Sequence, residues 1–379
     1  MGELAVQSEP DANDVASGNI RIERPSSREE LEEFARLPFE VYGARAAWWP
    51  PDASGEIDLV SGRSSLARFL EIEPLCARRD GKVVARVSAV VNRRYIEHWG
   101  EPLGHLIHFE ALEAEGAAVA ALIKTASEWL RGRGMRAVRS GFAAFLDYPY
   151  TIDNYGQLSS FLLRANPPSY HRYLKGSGFE TEKGQADFTA PLDANALERY
   201  RRMVAAAGAA GTTIRSWREY GYLAAIDEWT DVTNAAFDRH WGWNPVAREE
   251  VRPMLMPLWE TPVADLSMLA MRDGEVVGAV FSVPDFSPML ARLRSGARFQ
   301  PERGGGSRGA LINVGVLEGG RGHGIGGAMA ARSFLAMAER GMRYAGYTLV
   351  VDDNWASRRT AAALGAHVTG NFLTYRRNL

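Results

Sequence analysis

The residues with the clearest chemical purpose lie in one short stretch near the C-terminus. Six of the ten residues after Leu317 are glycine, in the order Glu-Gly-Gly-Arg321-Gly322-His323-Gly324-Ile325-Gly326-Gly327. Ahead of them, Leu311 to Leu317 is an apolar run that predicts a buried strand. Behind them, Ala330, Phe334, Met337 and Ala338 recur at helical spacing, and Arg340-Gly341 gives a basic last turn and a stop. Strand, glycine loop and helix together make a phosphate holder. The first turn of a helix carries unpaired N–H groups and the positive end of its dipole, and glycine lets an anion approach the main chain closely.

The order Arg321-x-x-Gly324-x-Gly326 resembles the acyl-CoA loop of the GCN5-related N-acetyltransferase (GNAT) superfamily, a pattern of Gln or Arg, two residues, Gly, one residue, then Gly or Ala. A dinucleotide-binding fold would instead want Gly-x-Gly-x-x-Gly early in a βαβ unit, with an acidic residue about 20 positions on. Downstream, Asn354 and Gly365-Ala366 stand where the superfamily opens and closes its next helix. The resemblance implies that Val314, Val316, Arg321, Gly322, His323, Gly324, Ile325, Gly326 and Asn354 border the bound acyl-CoA. It also implies a strand bulge at Val314-Gly315-Val316, with the N–H near Val316 facing the thioester oxygen. Many relatives carry a tyrosine seven residues after that Asn, as general acid for the departing thiolate; this chain has Ala361. Tyr347 and Tyr375 are the nearest substitutes.

The same resemblance directs attention to Phe237-Asp-Arg-His240-Trp241-Gly-Trp243. In this family the loop after the first helix of the domain borders the acceptor. His240 and Trp241 are therefore the expected acceptor contacts, and His240 is also a catalytic candidate, with the base left unidentified. Asp352-Asp353 reads first as N-cap chemistry before a helix. The seven histidines are scattered without metal-ligand spacing, so no metal site is expected.

These residues need a scaffold, and the sequence holds it twice. Ala77-Arg-Arg-Asp-Gly-Lys-Val-Val aligns with Ala270-Met-Arg-Asp-Gly-Glu-Val-Val, each reading as a hairpin around Asp-Gly. In the same order, Ile20-Arg21 matches Ile214-Arg215, Trp48 matches Trp243, and Arg133-Gly-Met-Arg matches Arg340-Gly-Met-Arg. Four ordered matches predict a tandem duplication. The first copy predicts strands or hairpins at 20–23, 74–94, 103–110, 135–142 and 179–190, with helices at 28–42, 116–132 and 168–176. The second predicts them at 212–217, 266–284, 310–317, 343–351 and 366–376, with helices at 221–239, 325–340 and 354–364. The expected organisation is a disordered tail at 1–19, a GNAT-like domain at 20–192, a linker at 193–211 made of a short charged helix and a flexible alanine-glycine run, and a second GNAT-like domain at 212–379. Each domain is an α/β unit with a mixed, twisted sheet flanked by helices. The first copy lacks the loop: Glu110-Ala-Leu-Glu113-Ala-Glu115 puts three carboxylates where a pyrophosphate would sit, so that copy is read as degenerate.

Composition narrows the partners. A formal net charge of −2 gives no basic face for nucleic acid or an anionic membrane. The single cysteine, Cys76, excludes an intrachain disulfide, reads as a buried thiol, and suits a cytoplasmic setting. Ser287–Gly309, rich in arginine, reads as a mobile solvated loop. The expected activity is acyl transfer from acetyl-CoA to a primary amine of a small molecule. The competing readings are a non-catalytic CoA- or partner-binding module and an aminoacyl-tRNA-dependent transferase.

Overall fold

The Asp-Gly dipeptides of the two repeated hairpins adopt the backbone that a two-residue turn demands. In the computed structural model, which describes residues 19–43, 47–163, 165–300 and 306–379, Asp80-Gly81 and Asp273-Gly274 all have positive φ. Such turns match the right-handed twist of the strands they join. The first half contributes β1 (Ile20–Glu23), β2 (Leu70–Arg79), β3 (Lys82–Asn92), β4 (Leu103–Ala111), β5 (Ala137–Ser140), β6 (Tyr150–Thr151) and β7 (Glu180–Pro191). The second contributes β8 (Thr212–Ser216), β9 (Met268–Arg272), β10 (Glu275–Pro284), β11 (Arg308–Val316), β12 (Tyr344–Val351) and β13 (His367–Asn378).

The strands form one mixed sheet in the order β1-β2-β3-β4-β5-β13-β7-β12-β11-β10-β9-β8, with β6 against β13. Within each half the order is the same, and in both the fourth and fifth strands run parallel. The last strands are exchanged. β13 lies beside β5 of the first half, while β7 lies beside β12 of the second, and β7 and β13 pair with each other at the centre. The two halves are therefore joined through main-chain ladders as well as by the covalent chain.

One face of each half is closed by a helix whose apolar side the sequence specifies. Ala118, Val119, Leu122, Ile123, Ala126 and Leu130 of the helix Gly116–Arg131 are buried on the first half. Ile325, Met329, Phe334 and Met337 of the helix Ile325–Glu339 do the same on the second. Cys76 is buried, and burial pushes its thiol up to about 12.

Three local expectations need correction. In the stretch expected as a linker, the short charged helix continues through the run expected to be flexible as Ala194–Ala209, which buries Ala196 and Tyr200 in the second core. Its run of alanines is strongly helix-forming, and the packing absorbs the cost of Gly208, about 1 kcal/mol. The arginine-rich segment holds the short helix Ser287–Ala291, anchored by buried Met289 and by the Ser287 N–H donating to Asp285 at 3.0 Å. In β11 the register against β10 jumps between Leu311 and Asn313, so the bulged residue is Ile312 and not the Val314–Val316 stretch. The tail expected at 1–19 lies outside the described residues except for Asn19.

Candidate active site

β11 and β12 pair only from Arg308 to Leu311 against Tyr344 to Tyr347. Beyond that point the strands separate, and the next residues of β11, Ile312 to Val316, have no partner in β12. On the other side, β12 kinks at Leu349, whose φ of +55° is uncommon for a residue with a Cβ. The resulting wedge holds a cavity of about 170 Å3 bordered by Asn313, Val314, Tyr347, Asn354 and Ser357.

At the outer end of β11 the glycine loop turns into the helix Ile325–Glu339. Gly324 is the N-cap with φ +70° and Gly322 has φ +81°. A Cβ built on either would meet nothing within 4 Å, so the main chain here is open to an approaching group. Gly326 differs: it faces Val316 and Val314 and lets the helix sit close on the strand. The residues fit a pyrophosphate at the helix N-terminus. Arg321 donates from Nε to the Val316 carbonyl at 3.2 Å and from Nη2 to the Ala236 carbonyl at 3.3 Å, so it ties the loop to β11 and to the end of the helix Tyr222–Phe237. His323 is exposed. Asn354 caps the helix Trp355–Ala363, its Oδ1 accepting from the Ser357 N–H at 3.1 Å.

The first half has no equivalent cradle. Where the second has its glycine loop, Glu115 precedes the helix Gly116–Arg131 and its carboxylate is held by Arg79 at 2.9 Å.

The catalytic candidates separate cleanly. Tyr347 lines the cavity, and burial pushes its hydroxyl up to about 12, so it is protonated at neutral pH. Tyr375 does not line the cavity. It is fully buried in the first-half core, its hydroxyl 2.7 Å from His171 Nδ1. Ala361 is fully buried in the second core, so no side chain from that position enters the wedge.

His240 lines the cavity, with Nδ1 3.1 Å from the Trp241 carbonyl. A carbonyl only accepts, so the proton sits on Nδ1 and Nε2 keeps its lone pair. Burial lowers the pKa of the ring, which is neutral at pH 7. Trp241 and Trp243 also line the cavity, Trp241 stacked on Phe142 at 5.2 Å. Trp243, the repeat partner of Trp48, is both core and cavity wall.

The far wall comes from the first half. Phe142, Phe145, Asp147, Tyr148 and Gln185 border the cavity. Burial, reinforced by Asp147, raises the Tyr148 hydroxyl pKa. The sequence held a signal for them, the aromatic stretch Phe142-Ala-Ala-Phe145-Leu-Asp147-Tyr148-Pro-Tyr150. Nothing in it said that this stretch would face the other half.

The acetyltransferase (GNAT) family model matches residues 226–366. A curated relative named bacterial ceramide synthase, from Caulobacter vibrioides, is 22% identical over 290 residues, 74% of each chain. Among solved structures, a tandem GNAT protein from the clavulanic acid biosynthesis pathway superposes with a TM-score of 0.55 at 13% identity, covering 95% of this chain and 98% of that one. A GCN5-related glucosamine N-acetyltransferase region of a fungal multi-domain β-N-acetylglucosaminidase gives a TM-score of 0.59 at 16% identity over 98% of this chain. The chain spans 40% of the length of that fungal protein. No helix among the described residues is long and apolar enough to cross a membrane.

Proposed function

The chain is a GNAT superfamily protein, and from that premise we propose that it is an acyl-CoA-dependent N-acyltransferase that acetylates a primary amine of a small molecule. The working site lies in the second half, and the first half is a degenerate copy that supplies one wall. One observation carries this reading: the cavity opens where β11 leaves β12, with the glycine loop at the end of the same strand. That places an anion cradle, unpaired main-chain groups and a cavity in one line, as a thioester with a long phosphorylated tail requires.

The amine must be neutral to attack, yet an alkylamine has a pKa of about 10. His240 Nε2 is a lone-pair acceptor on the cavity wall and takes that proton. As the new C–N bond forms, the thioester oxygen gains negative charge, and main-chain N–H groups of β11 freed by the splay stabilise it, worth a few kcal/mol. The C–S bond then breaks, the protonated Tyr347 hydroxyl gives its proton to the departing thiolate, and the second proton on the new amide nitrogen passes to the tyrosinate. His240 returns its proton to solvent, leaving amide, CoA thiol and one proton. Ceramide is an amide, so the name of the relative called bacterial ceramide synthase supports N-acyl transfer as the reaction class without fixing the acceptor.

The test is release of CoA thiol from acetyl-CoA by the full-length protein against a library of amines. Acetyl-CoA binding accompanied by thiol release with at least one amine supports the proposal. Binding without release for any amine makes the protein a CoA-binding module, and aminoacyl transfer from an aminoacyl-tRNA, read as discharge of the tRNA with no thiol formed, gives the other alternative.

A further inference from the structure

The loop that carries His240, residues 238–245, joins the helix Tyr222–Phe237 to Val246. Its own half fixes the two ends. The His240 N–H donates to the Phe237 carbonyl at 2.7 Å, and Asn234 exchanges two hydrogen bonds with the main chain of Val246, at 2.8 and 3.1 Å.

Between those ends the loop is held by one short helix of the first half, Arg93–Trp99. Asn92 caps that helix, its Oδ1 accepting from the Tyr95 N–H at 3.1 Å, and Gly100 stops it at φ +63°. Tyr95 and Trp99 pack it against Leu103 and Ala137 of the first-half sheet. Three of its side chains donate to three carbonyls of the loop. His98 Nε2 reaches Asp238 at 2.7 Å, Trp99 Nε1 reaches Trp243 at 2.8 Å, and Arg94 Nη1 reaches Pro245 at 2.9 Å. A carbonyl only accepts, so His98 carries its proton on Nε2. Arg94 is itself fixed, by buried Glu250 at 2.5 Å and by the Phe69 ring 3.8 Å below it.

The side chains of the loop meet the same half. Trp241 stacks on Phe142, and the Arg139 guanidinium lies 4.6 Å from the Trp241 ring centre. Arg139 is forked onto Glu182, with both bonds at 2.6 Å, and also donates to the Tyr95 hydroxyl at 3.2 Å. Gly242 approaches Phe142 so closely that a Cβ would come within 2.7 Å of its ring. A surface loop ordinarily leaves its carbonyls to water. Here side chains of the other half take three of them, one before His240 and two after it.

We propose that Arg94, His98 and Trp99 are positioning residues, which hold His240 at the cavity wall through the main chain of its loop. The first half then sets the aim of the base as well as supplying a wall. The proposal rests on the N-acyltransferase reading with His240 as base. A misplacement of about 1 Å can cost a catalytic step about 10²-fold, so three fixed carbonyls beside the base bear directly on rate.

Trp99→Phe and His98→Phe each keep a ring and remove one donor. In the full-length protein, amide-exchange mass spectrometry should show the 238–245 segment exchanging about tenfold faster in each, with the glycine loop unchanged. With an accepted amine at pH 7, kcat should fall about tenfold while the amine KM and the acetyl-CoA Kd stay within about twofold. Adding Trp99→Phe to His240→Gln should change kcat less than about twofold, because a residue that acts through His240 then has nothing left to place. Native exchange in both variants would overturn the proposal. So would faster exchange at native kcat, which makes the helix a structural tie, or a full tenfold loss in the double variant. If no amine releases thiol yet loop exchange still depends on Trp99, the transferase reading falls and takes the catalytic role with it, while the tie between the halves stands.

Discussion

The hydroxyl of Tyr375, on the last strand, lies 2.7 Å from Nδ1 of His171 on a helix of the first half. That contact follows from strand exchange: β13 fills the place beside β5 that β7 would take if the first half closed on itself. Tyr375→Phe is expected to cost about 1 kcal/mol of stability, the usual worth of one hydrogen bond, with kcat unchanged. Thermal unfolding beside steady-state kinetics checks both. A large loss of kcat with an unaltered melting temperature would return Tyr375 to the catalytic candidates.

Tyr347 makes the opposite prediction. Its hydroxyl is held protonated in the cavity, and the departing thiolate needs a proton. Tyr347→Phe should lower kcat about 10²-fold, at the low end for a lost general acid, while the Kd for acetyl-CoA stays within twofold. Equal losses of kcat and acetyl-CoA affinity would mean that the ring shapes the site and that the hydroxyl does not act.

The glycines of the loop divide by what surrounds them. Gly324 is left-handed and faces open space, so Gly324→Val meets backbone strain and also places a side chain where the pyrophosphate approaches. Acetyl-CoA affinity should fall at least tenfold, about 1.4 kcal/mol. Gly326 is helical, and its nearest neighbour would be Val316 at 3.4 Å from a new Cβ, ordinary contact. Gly326→Ala should therefore bind acetyl-CoA as the native protein does. Calorimetry on the pair decides it, and indifference of Gly324→Val would remove the loop from the binding site.

What was legible in the sequence was local or repeated. The Asp-Gly hairpins, the strand–loop–helix around Arg321 and the core stripes follow from turn chemistry and periodicity within a few tens of residues. The exchange of β7 and β13 was not legible, because strands far apart in the chain pair without leaving a local pattern in either. The wall formed by Asp147 and Tyr148 stayed hidden for the same reason: it depends on which sheet the preceding strands join. The bulge was misplaced by two residues because its position came from the family resemblance, whereas the displacement of Ile312 is set by pairing with β10. The extension of the short charged helix through Ala209 was missed because glycine beside alanine reads as flexibility until a partner surface is present.

His240 gives a prediction in pH. Burial lowers its pKa, so the neutral, proton-accepting form is dominant above about 6.5, the ordinary histidine value. The acidic limb of kcat/KM should accordingly fall below that value. From there upward, an amine that binds protonated can be deprotonated in the site, and the profile should be flat until the amine itself titrates at about 10. His240→Gln keeps a polar group of similar reach and removes the base. Its rate should then depend on the free neutral amine, rising about tenfold per pH unit through pH 8 and 9, with the largest deficit near pH 7. Acetyl-CoA affinity should not move, because the proposed role of the ring is toward the acceptor amine. A His240→Gln profile parallel to that of the native enzyme would show that another group, or water, takes the proton.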